Sequence, residues 1–244
     1  MKILAYIPAR AGSKRVPNKN IKNFLGKPLI AYTVLQAKAC SIVDRVVVDT
    51  DSPKIAQIAK KYGAEVPFLR PAHLATDKSQ VVFSLLNVLN RLKDDEGYVP
   101  DYVLLLQTTS PLREMKDIMD AWKMIKSTDA TTVLTVCPTH PKLYYLGKNN
   151  ETILVNGSEG KSNNTQTWPP AYLLNGCFVY IIKTSALLKE KRIITKKTKA
   201  VVCPRWRSVD IDTPEDWVMG EFLYKNKKAI EKRIKSLEKK APRP

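Results

Sequence analysis

The sequence predicts an α/β fold, a mostly parallel sheet covered by helices on both faces. Three observations carry that prediction. Short β-rich segments alternate with helical patterns from Ile3 onward. Those segments are apolar throughout instead of alternating, which marks strands buried on both faces. The chain also has 244 residues and 44% hydrophobic content, enough for one large core.

The elements follow in order. Ile3–Pro8 reads as the first strand, and Leu29–Ala39 as a helix with Ile30, Val34 and Ala37 on one face. Arg45–Thr50 is a second strand and Lys54–Tyr62 a helix; Val66–Leu69 is a short strand. Ser79–Lys93 is a long helix carrying Val82, Leu85, Leu86 and Leu89. Tyr102–Leu106 is a strand, Met115–Ile125 a helix and Thr131–Val136 a strand. The rhythm then breaks. Residues 138–172 are rich in Pro, Asn, Gly, Thr and Lys, yet aromatic and apolar residues recur, with Tyr144–Leu146 and Thr152–Val155 as hairpin strands. This stretch reads as a lobe inserted into one α/β domain made of residues 1–137 and 173–244. Phe178–Ile182 and Ala200–Cys203 return to the sheet. Thr213 and Pro214 open a C-terminal helix as N-cap and first helical residue.

Composition narrows the function classes. The four cysteines, Cys40, Cys137, Cys177 and Cys203, form no C-x-x-C pair, which fits buried thiols in a reducing cytosol better than disulfides or zinc. Only His73 and His140 exist, so a His-rich metal site is excluded, and both read as loop hydrogen-bonders. No apolar run approaches the ~20 residues of a membrane span, and a cytoplasmic protein without membrane partners is expected. The net charge of +18 invites a polyanion-binding reading. Half of it comes from residues 186–244, where 17 Lys and Arg face 8 Asp and Glu. Much of that lies in a terminal helix, Lys225 to Lys240, whose Ile230, Ile234 and Leu237 read as a packed stripe behind a solvated basic face. No nucleic-acid signature accompanies the charge, so no nucleic-acid partner is expected.

Three segments carry chemistry. The first strand empties into Ala9–Asn20, which holds Arg10, Lys14, Arg15, Lys19, Gly12 and Ser13. Loops at the carboxyl ends of strands are where open α/β sheets take ligands. Backbone N–H groups near Gly12 and Ser13 plus mobile cations suit phosphate, although neither standard glycine-rich nucleotide fingerprint is present. Leu106–Arg113 follows a central strand; Gln107 is placed to read a ligand, and Thr109 and Ser110 to cap the next helix. Ser208–Thr213 sets Asp210 and Asp212 on one side of an extended segment. Two close carboxylates call for a cation, and Mg2+ carrying phosphates is the usual one. The loop Leu69–Asp77 could cover a base, and Asn175 could offer an amide to a second substrate.

Together Ile7–Lys14 with Lys19-Asn20, Leu69–Asp77, Leu106–Arg113, Asn175-Gly176 and Asp210–Asp212 resemble the acylneuraminate cytidylyltransferases, the CMP-sialic acid and CMP-nonulosonic acid synthetases. The resemblance implies a Rossmann-like nucleotidyltransferase fold. It also implies a homodimer whose inserted lobe, residues 138–172, serves dimerisation and the sugar site. The implied reaction joins CTP and a nine-carbon ulosonic acid into a CMP-sugar and pyrophosphate. By motif position, Arg10, Ser13, Lys14, Lys19 and Asn20 would hold the triphosphate, with Arg70 and Ser79 near cytosine and ribose. Gln107 and Asn175 would face the sugar, and Asp210 and Asp212 would hold Mg2+. Arg10, Lys19, Gln107, Asp210 and Asp212 would then be the catalytic set. Members selective for N-acetylneuraminate carry arginines shortly before Asn-Gly. Here Thr165 and Leu173 stand in their place, and Tyr180 comes one residue late. A less polar diamino sugar such as legionaminate or pseudaminate is expected. The 3-deoxy-manno-octulosonate cytidylyltransferases share the reaction, but Gln107–Pro111 lacks the acids of their Gly-Asp-Glu-Pro-type segment.

Overall fold

The computed structural model describes residues 1–155, 168–175 and 178–239. The strands are β1 (Ile3–Pro8), β2 (Asn23–Phe24), β3 (Lys27–Pro28), β4 (Arg45–Asp49), β5 (Tyr102–Leu105), β6 (Thr132–Thr139), β7 (Tyr144–Leu146), β8 (Thr152–Leu154), β9 (Ala171–Leu174), β10 (Tyr180–Lys183) and β11 (Thr198–Val202). The α-helices are α1 (Leu29–Lys38), α2 (Pro53–Lys61), α3 (Val81–Glu96), α4 (Met115–Ser127), α5 (Thr184–Glu190) and α6 (Pro214–Glu238). The main sheet runs β11-β6-β10-β5-β1-β4, with β9 added to β6. Parallel pairing joins β4 to β1, β1 to β5 and β6 to β11, whereas β10 runs antiparallel to both of its neighbours.

Burial on both faces explains the uninterrupted apolar strands. From β1, Ile3, Ala5 and Ile7 enter the core that α1, α2 and α4 cover, while Leu4 and Tyr6 enter the one under α3 and α5. A smaller cluster of Val16, Phe24, Leu29, Ile211 and Trp217 ties the opening loop to the start of α6. There Gly220 lets the helix lie against Ile211: a Cβ at that position would sit 3.2 Å from Ile211 Cδ1.

Several expectations change. Val66–Leu69 is not a strand. The one bridge here, Val47 to Glu65, lies just before it, and Pro67 within it lacks the N–H that a ladder needs. The long helix begins at Val81 rather than Ser79, since Thr76–Ser79 folds as a turn. It ends on Gly97 in the left-handed region. Thr109 and Ser110 cap nothing: α4 opens on a capping box between Glu114 and Asp117. The stripe of Ile230, Ile234 and Leu237 is not packed. Only Trp217 and Gly220 of α6 are buried, and Leu237 is 52% exposed. Cys40, Cys137 and Cys203 are buried free thiols; Cys177 and Gly176 lie outside the described residues.

The excursion after β6 departs from an extended strand. Val136–Thr139 pairs antiparallel with β9, and β7 pairs with β8 as a separate hairpin.

Candidate active site

The loops after β1 and β5 meet the segment before α6 around a cavity of about 510 Å³. Parallel pairing of β1 with β4 and β5 brings these carboxyl ends together. Of the residues singled out from sequence, Arg10, Ser13, Lys14, Lys19, Asn20, Arg70, Ser79, Gln107 and Asp212 all line it. Asp210 and Asn175 do not.

The opening loop is braced from within. Asn20 Nδ2 donates to Arg10 O (2.9 Å), and Asn20 Oδ1 accepts from Thr108 Oγ1 (2.6 Å). Asn20 thereby shapes the loop, and its second Nδ2 hydrogen stays available to a ligand in the cavity it lines. The Ser13 N–H is spent on Ala11 O at 2.8 Å, which removes it from the anion-binding set expected from sequence. Gly12 has no fold-internal reason to be glycine: its φ is not positive, and a Cβ there would meet nothing within 4 Å. That space is open to a ligand.

The four loop cations converge on two carboxylates. Arg10 Nη1 lies 2.8 Å and Lys14 Nζ 2.5 Å from Asp77. Arg15 Nη2 lies 2.8 Å and Lys19 Nζ 2.7 Å from Asp212, and Lys19 also donates to Ile211 O at 2.7 Å. Hydrogen bonds from Lys14 and Arg10 hold the Asp77 carboxyl below the usual carboxylate range. An anionic ligand entering this cavity therefore exchanges carboxylate partners for its own oxygens, and the loop cations need not travel to reach it.

Asp210 sits behind Asp212, close to the Thr109 hydroxyl. Burial pushes its carboxyl up, and the Asp212 charge adds to this; the Thr109 hydrogen bond opposes it. Asp210 Oδ1 is buried with no hydrogen-bond partner. No third Asp, Glu, His or Cys joins the pair among the described residues. An orphaned buried oxygen beside a carboxylate at the cavity wall fits a hard divalent ion whose other ligands are phosphate and water oxygens. Lys19 and Arg15 already pair with Asp212, so a divalent ion here would share that carboxylate with two cations.

Arg70 lines the cavity but is only 7% exposed. Its Nε donates to Asp49 Oδ2 (2.9 Å) and one Nη to Asp49 O (2.9 Å). Tyr6 Oη donates to the same Oδ2 at 2.6 Å. Burial, reinforced by Asp49, raises that phenol well above its ordinary range. Ser79 Oγ donates to His73 O (2.9 Å), closing the turn that carries Asp77. The Gln107 carbonyl accepts from Thr33 and Arg113, and its amide nitrogen has no partner among the described residues. That nitrogen is the free donor at the end of β5.

Asn175 is buried away from the cavity. Its Oδ1 accepts from Thr135 and its Nδ2 donates to Ser208, so it supports the segment bearing the two acids. Arg207 anchors the same segment from the other side through a buried two-point ion pair with Asp117, whose Oδ1 also accepts from Cys203. Asp77, Thr108, Arg207 and Asp117 are thus site-building residues that sequence reasoning left unassigned. Asp77 alone had a signal, as an acid ending a loop quoted beside a strongly basic one.

The family model described as cytidylyltransferase matches residues 4–238. CMP-N,N'-diacetyllegionaminic acid synthase of Legionella pneumophila is 39% identical, covering 91% of this chain and 96% of its own. Pseudaminic acid cytidylyltransferase of Campylobacter jejuni is 35% identical, with 92% and 97% covered. N-acylneuraminate cytidylyltransferase of Streptococcus agalactiae is 32% identical over 92% of this chain, but only 54% of that protein is matched. Among solved structures, CMP:2-keto-3-deoxy-manno-octonic acid synthetase complexed with CTP superposes with a TM-score of 0.68 at 16% identity, covering 93% of this chain and all of that one. It shares the Rossmann-like nucleotidyltransferase fold. A family match across nearly the whole sequence, on a fold whose strand ends gather four cations, establishes that this chain belongs to the cytidylyltransferases, a family of nucleotidyltransferases.

Proposed function

We propose that this enzyme activates a nine-carbon diamino ulosonic acid of the legionaminate or pseudaminate type with CTP, giving the CMP-sugar and pyrophosphate in the cytoplasm. The observation that carries the reading is the convergence of Arg10, Lys14, Arg15 and Lys19 on one cavity whose far wall holds Asp212. In the reaction an anomeric oxygen bonds to the α-phosphorus as the bond to pyrophosphate breaks, and the hydroxyl proton leaves to solvent. Charge builds on the phosphoryl and leaving oxygens, so positioned cations do most of the work. Arg10 and Lys14 would release Asp77 and take the phosphates, with Lys19 and Arg15 beside them. Asp210 and Asp212 would hold Mg2+, which would supply charge neutralisation at the phosphates. Gln107 would donate its free amide nitrogen to the sugar, and Arg70 and Ser79 would border the nucleoside.

The sugar class rests on two supports. Leu173, where arginine is expected for N-acetylneuraminate, is 44% exposed on β9 and presents an apolar side chain in place of a cation. Thr165, the other such position, lies outside the described residues. The two relatives named for legionaminic and pseudaminic acids also match over nearly their full length. Pyrophosphate release with CTP, Mg2+ and a panel of ulosonic acids tests the proposal. Diacetyllegionaminate or pseudaminate should turn over fastest; faster turnover of N-acetylneuraminate or of 3-deoxy-manno-octulosonate would reject the sugar assignment.

Asp77 gives a second test. With Asp77→Asn, Arg10 and Lys14 lose their resident anion, so the KM for CTP at low ionic strength should fall several-fold while kcat holds. A raised KM would mean that Asp77 positions the cations for CTP instead of competing with it.

A homodimer completes the proposal. Tyr144, Tyr145, Leu146 and Ile153 of the β7–β8 hairpin are all exposed, and neighbours along a strand point to opposite faces. Neither face is buried by the described residues, and a lone two-stranded hairpin is marginal in water. A second copy would cover it. Light scattering after gel filtration should give twice the 27.6 kDa chain mass, and Tyr145→Lys with Leu146→Lys should give a monomer.

A further inference from the structure

Helix α6 carries an apolar stripe that the body of the protein does not use. Trp217 and Gly220 face inward, with Trp217 edge-on to Phe24 and Gly220 against Ile211. Met219, Leu223, Ile230, Ile234 and Leu237 recur at intervals of 4, 7, 4 and 3 residues, which places them on one face at helical pitch. That face lies about 100° round the helix from the Trp217 and Gly220 side, with Leu223, Ile230 and Ile234 half-buried and Met219 and Leu237 exposed. Val218 and Phe222 widen it. Val218 is 68% exposed, Met219 54%, Phe222 59% and Leu237 52%.

After Gly220 no described residue of the helix is buried. A helical piece as short as residues 228–239 is marginal in water on its own. An uncovered stripe on such a piece points to a partner.

Charge identifies the partner. From Lys225 to Lys239 the helix has seven cations (Lys225, Lys227, Lys228, Lys232, Arg233, Lys235 and Lys239) against two acids, Glu231 and Glu238. Among the described residues only Lys227 of these cations is in an ion pair, with Glu114. Two copies of this helix would set cationic segments against one another, which disfavours self-association. A nucleic acid would satisfy the lysines but leave Met219, Phe222 and Leu237 in water.

An anionic lipid surface satisfies both halves, apolar side chains in the acyl boundary and cations among the headgroups. We propose that α6 is an interfacial helix that docks this enzyme on anionic membranes. The contact is peripheral, since among the described residues no helix is long and apolar enough to cross a membrane. It departs from the membrane-free expectation drawn from sequence, which took the stripe as packed.

The test is flotation of the full-length enzyme with phosphatidylcholine vesicles, with and without phosphatidylglycerol. At low salt the enzyme should float with the phosphatidylglycerol vesicles and stay behind with phosphatidylcholine alone. Phe222→Ser with Leu237→Ser should lower the bound fraction by at least about tenfold, given the apolar area withdrawn. CTP turnover and circular dichroism should not change, because both side chains are exposed and remote from the cavity. Three outcomes would overturn the proposal. The first is no flotation. The second is flotation unaffected by the double substitution and competed away by duplex RNA, which would make the helix a general polyanion binder. The third is a change in oligomer mass on substitution, which would assign the stripe to a second copy.

Discussion

Asp212→Asn is expected to lower kcat by about 10²–10³-fold while the fold survives. The fold should survive because the Asp212 side chain is 41% exposed and Asp216, not Asp212, closes the capping box of α6 with Thr213. The kinetic consequence separates the role this carboxylate shows in the structure from the one proposed for it. As a resting counter-ion it engages Lys19 and Arg15. As the proposed partner of Asp210 it holds a divalent ion on the triphosphate. Loss of the first role alone frees two cations for CTP, so KM falls and kcat is unchanged. Loss of the second removes charge neutralisation at the moment the pyrophosphate bond breaks, so kcat falls and more Mg2+ is needed for half-maximal rate. Steady-state kinetics over CTP and Mg2+ concentrations distinguish them. An unchanged kcat with a lower KM would withdraw the metal assignment and leave Asp212 as a counter-ion.

How much of this was legible from sequence depends on whether the information is local. Most strands of the main sheet were readable because burial on both faces leaves no room for polar alternation, as in β1, which feeds one core with Ile3, Ala5 and Ile7 and the other with Leu4 and Tyr6; β9, mostly exposed, was not. The same rule over-read Val66–Leu69, where apolar content is local but the missing N–H of Pro67 breaks the ladder. The chemistry of the opening loop was legible because four cations after a buried strand have no packing rationale. Their partners were not. Asp77 and Asp212 reach those cations through the fold, across more than 60 residues for Arg10 to Asp77 and more than 190 for Lys19 to Asp212. Nothing in the spacing of single residues encodes such a meeting. The hydroxyls of Thr109 and Ser110 were assigned by proximity to a helix start, but the helix caps itself through Glu114 and Asp117, and Thr109 donates to the Gln107 side-chain oxygen instead. The stripe on α6 failed for the opposite reason. Its periodicity is real, but periodicity states which residues share a face, not whether the same chain covers that face.

Asp49→Asn should cost about 3–5 kcal/mol of stability, because it leaves the Arg70 guanidinium buried without its charge partner. For a chain of this size that lowers Tm by about 10 °C or more, readable by thermal circular dichroism. The site explains the magnitude. Arg70 and Asp49 meet at 2.8 Å with side chains 6% and 0% exposed, and water cannot replace either partner. A guanidinium cannot shed its proton, so it cannot relieve the loss by becoming neutral. A carboxyl can take one up. Arg70→Gln should therefore destabilise less than Asp49→Asn, although both break the same pair. Asp49→Asn combined with Arg70→Gln should recover part of the loss, since no uncompensated charge remains. Tyr6→Phe removes a single hydrogen bond to a charged acceptor and should cost about 1.5–3 kcal/mol. The order matters for function because Arg70 is held at the cavity wall by this pair. Asp49→Asn assayed well below its Tm should raise the KM for CTP, while Tyr6→Phe should leave KM nearly unchanged. If instead the two variants shift KM alike, the orientation of Arg70 is set by the surrounding packing rather than by the Asp49 carboxylate.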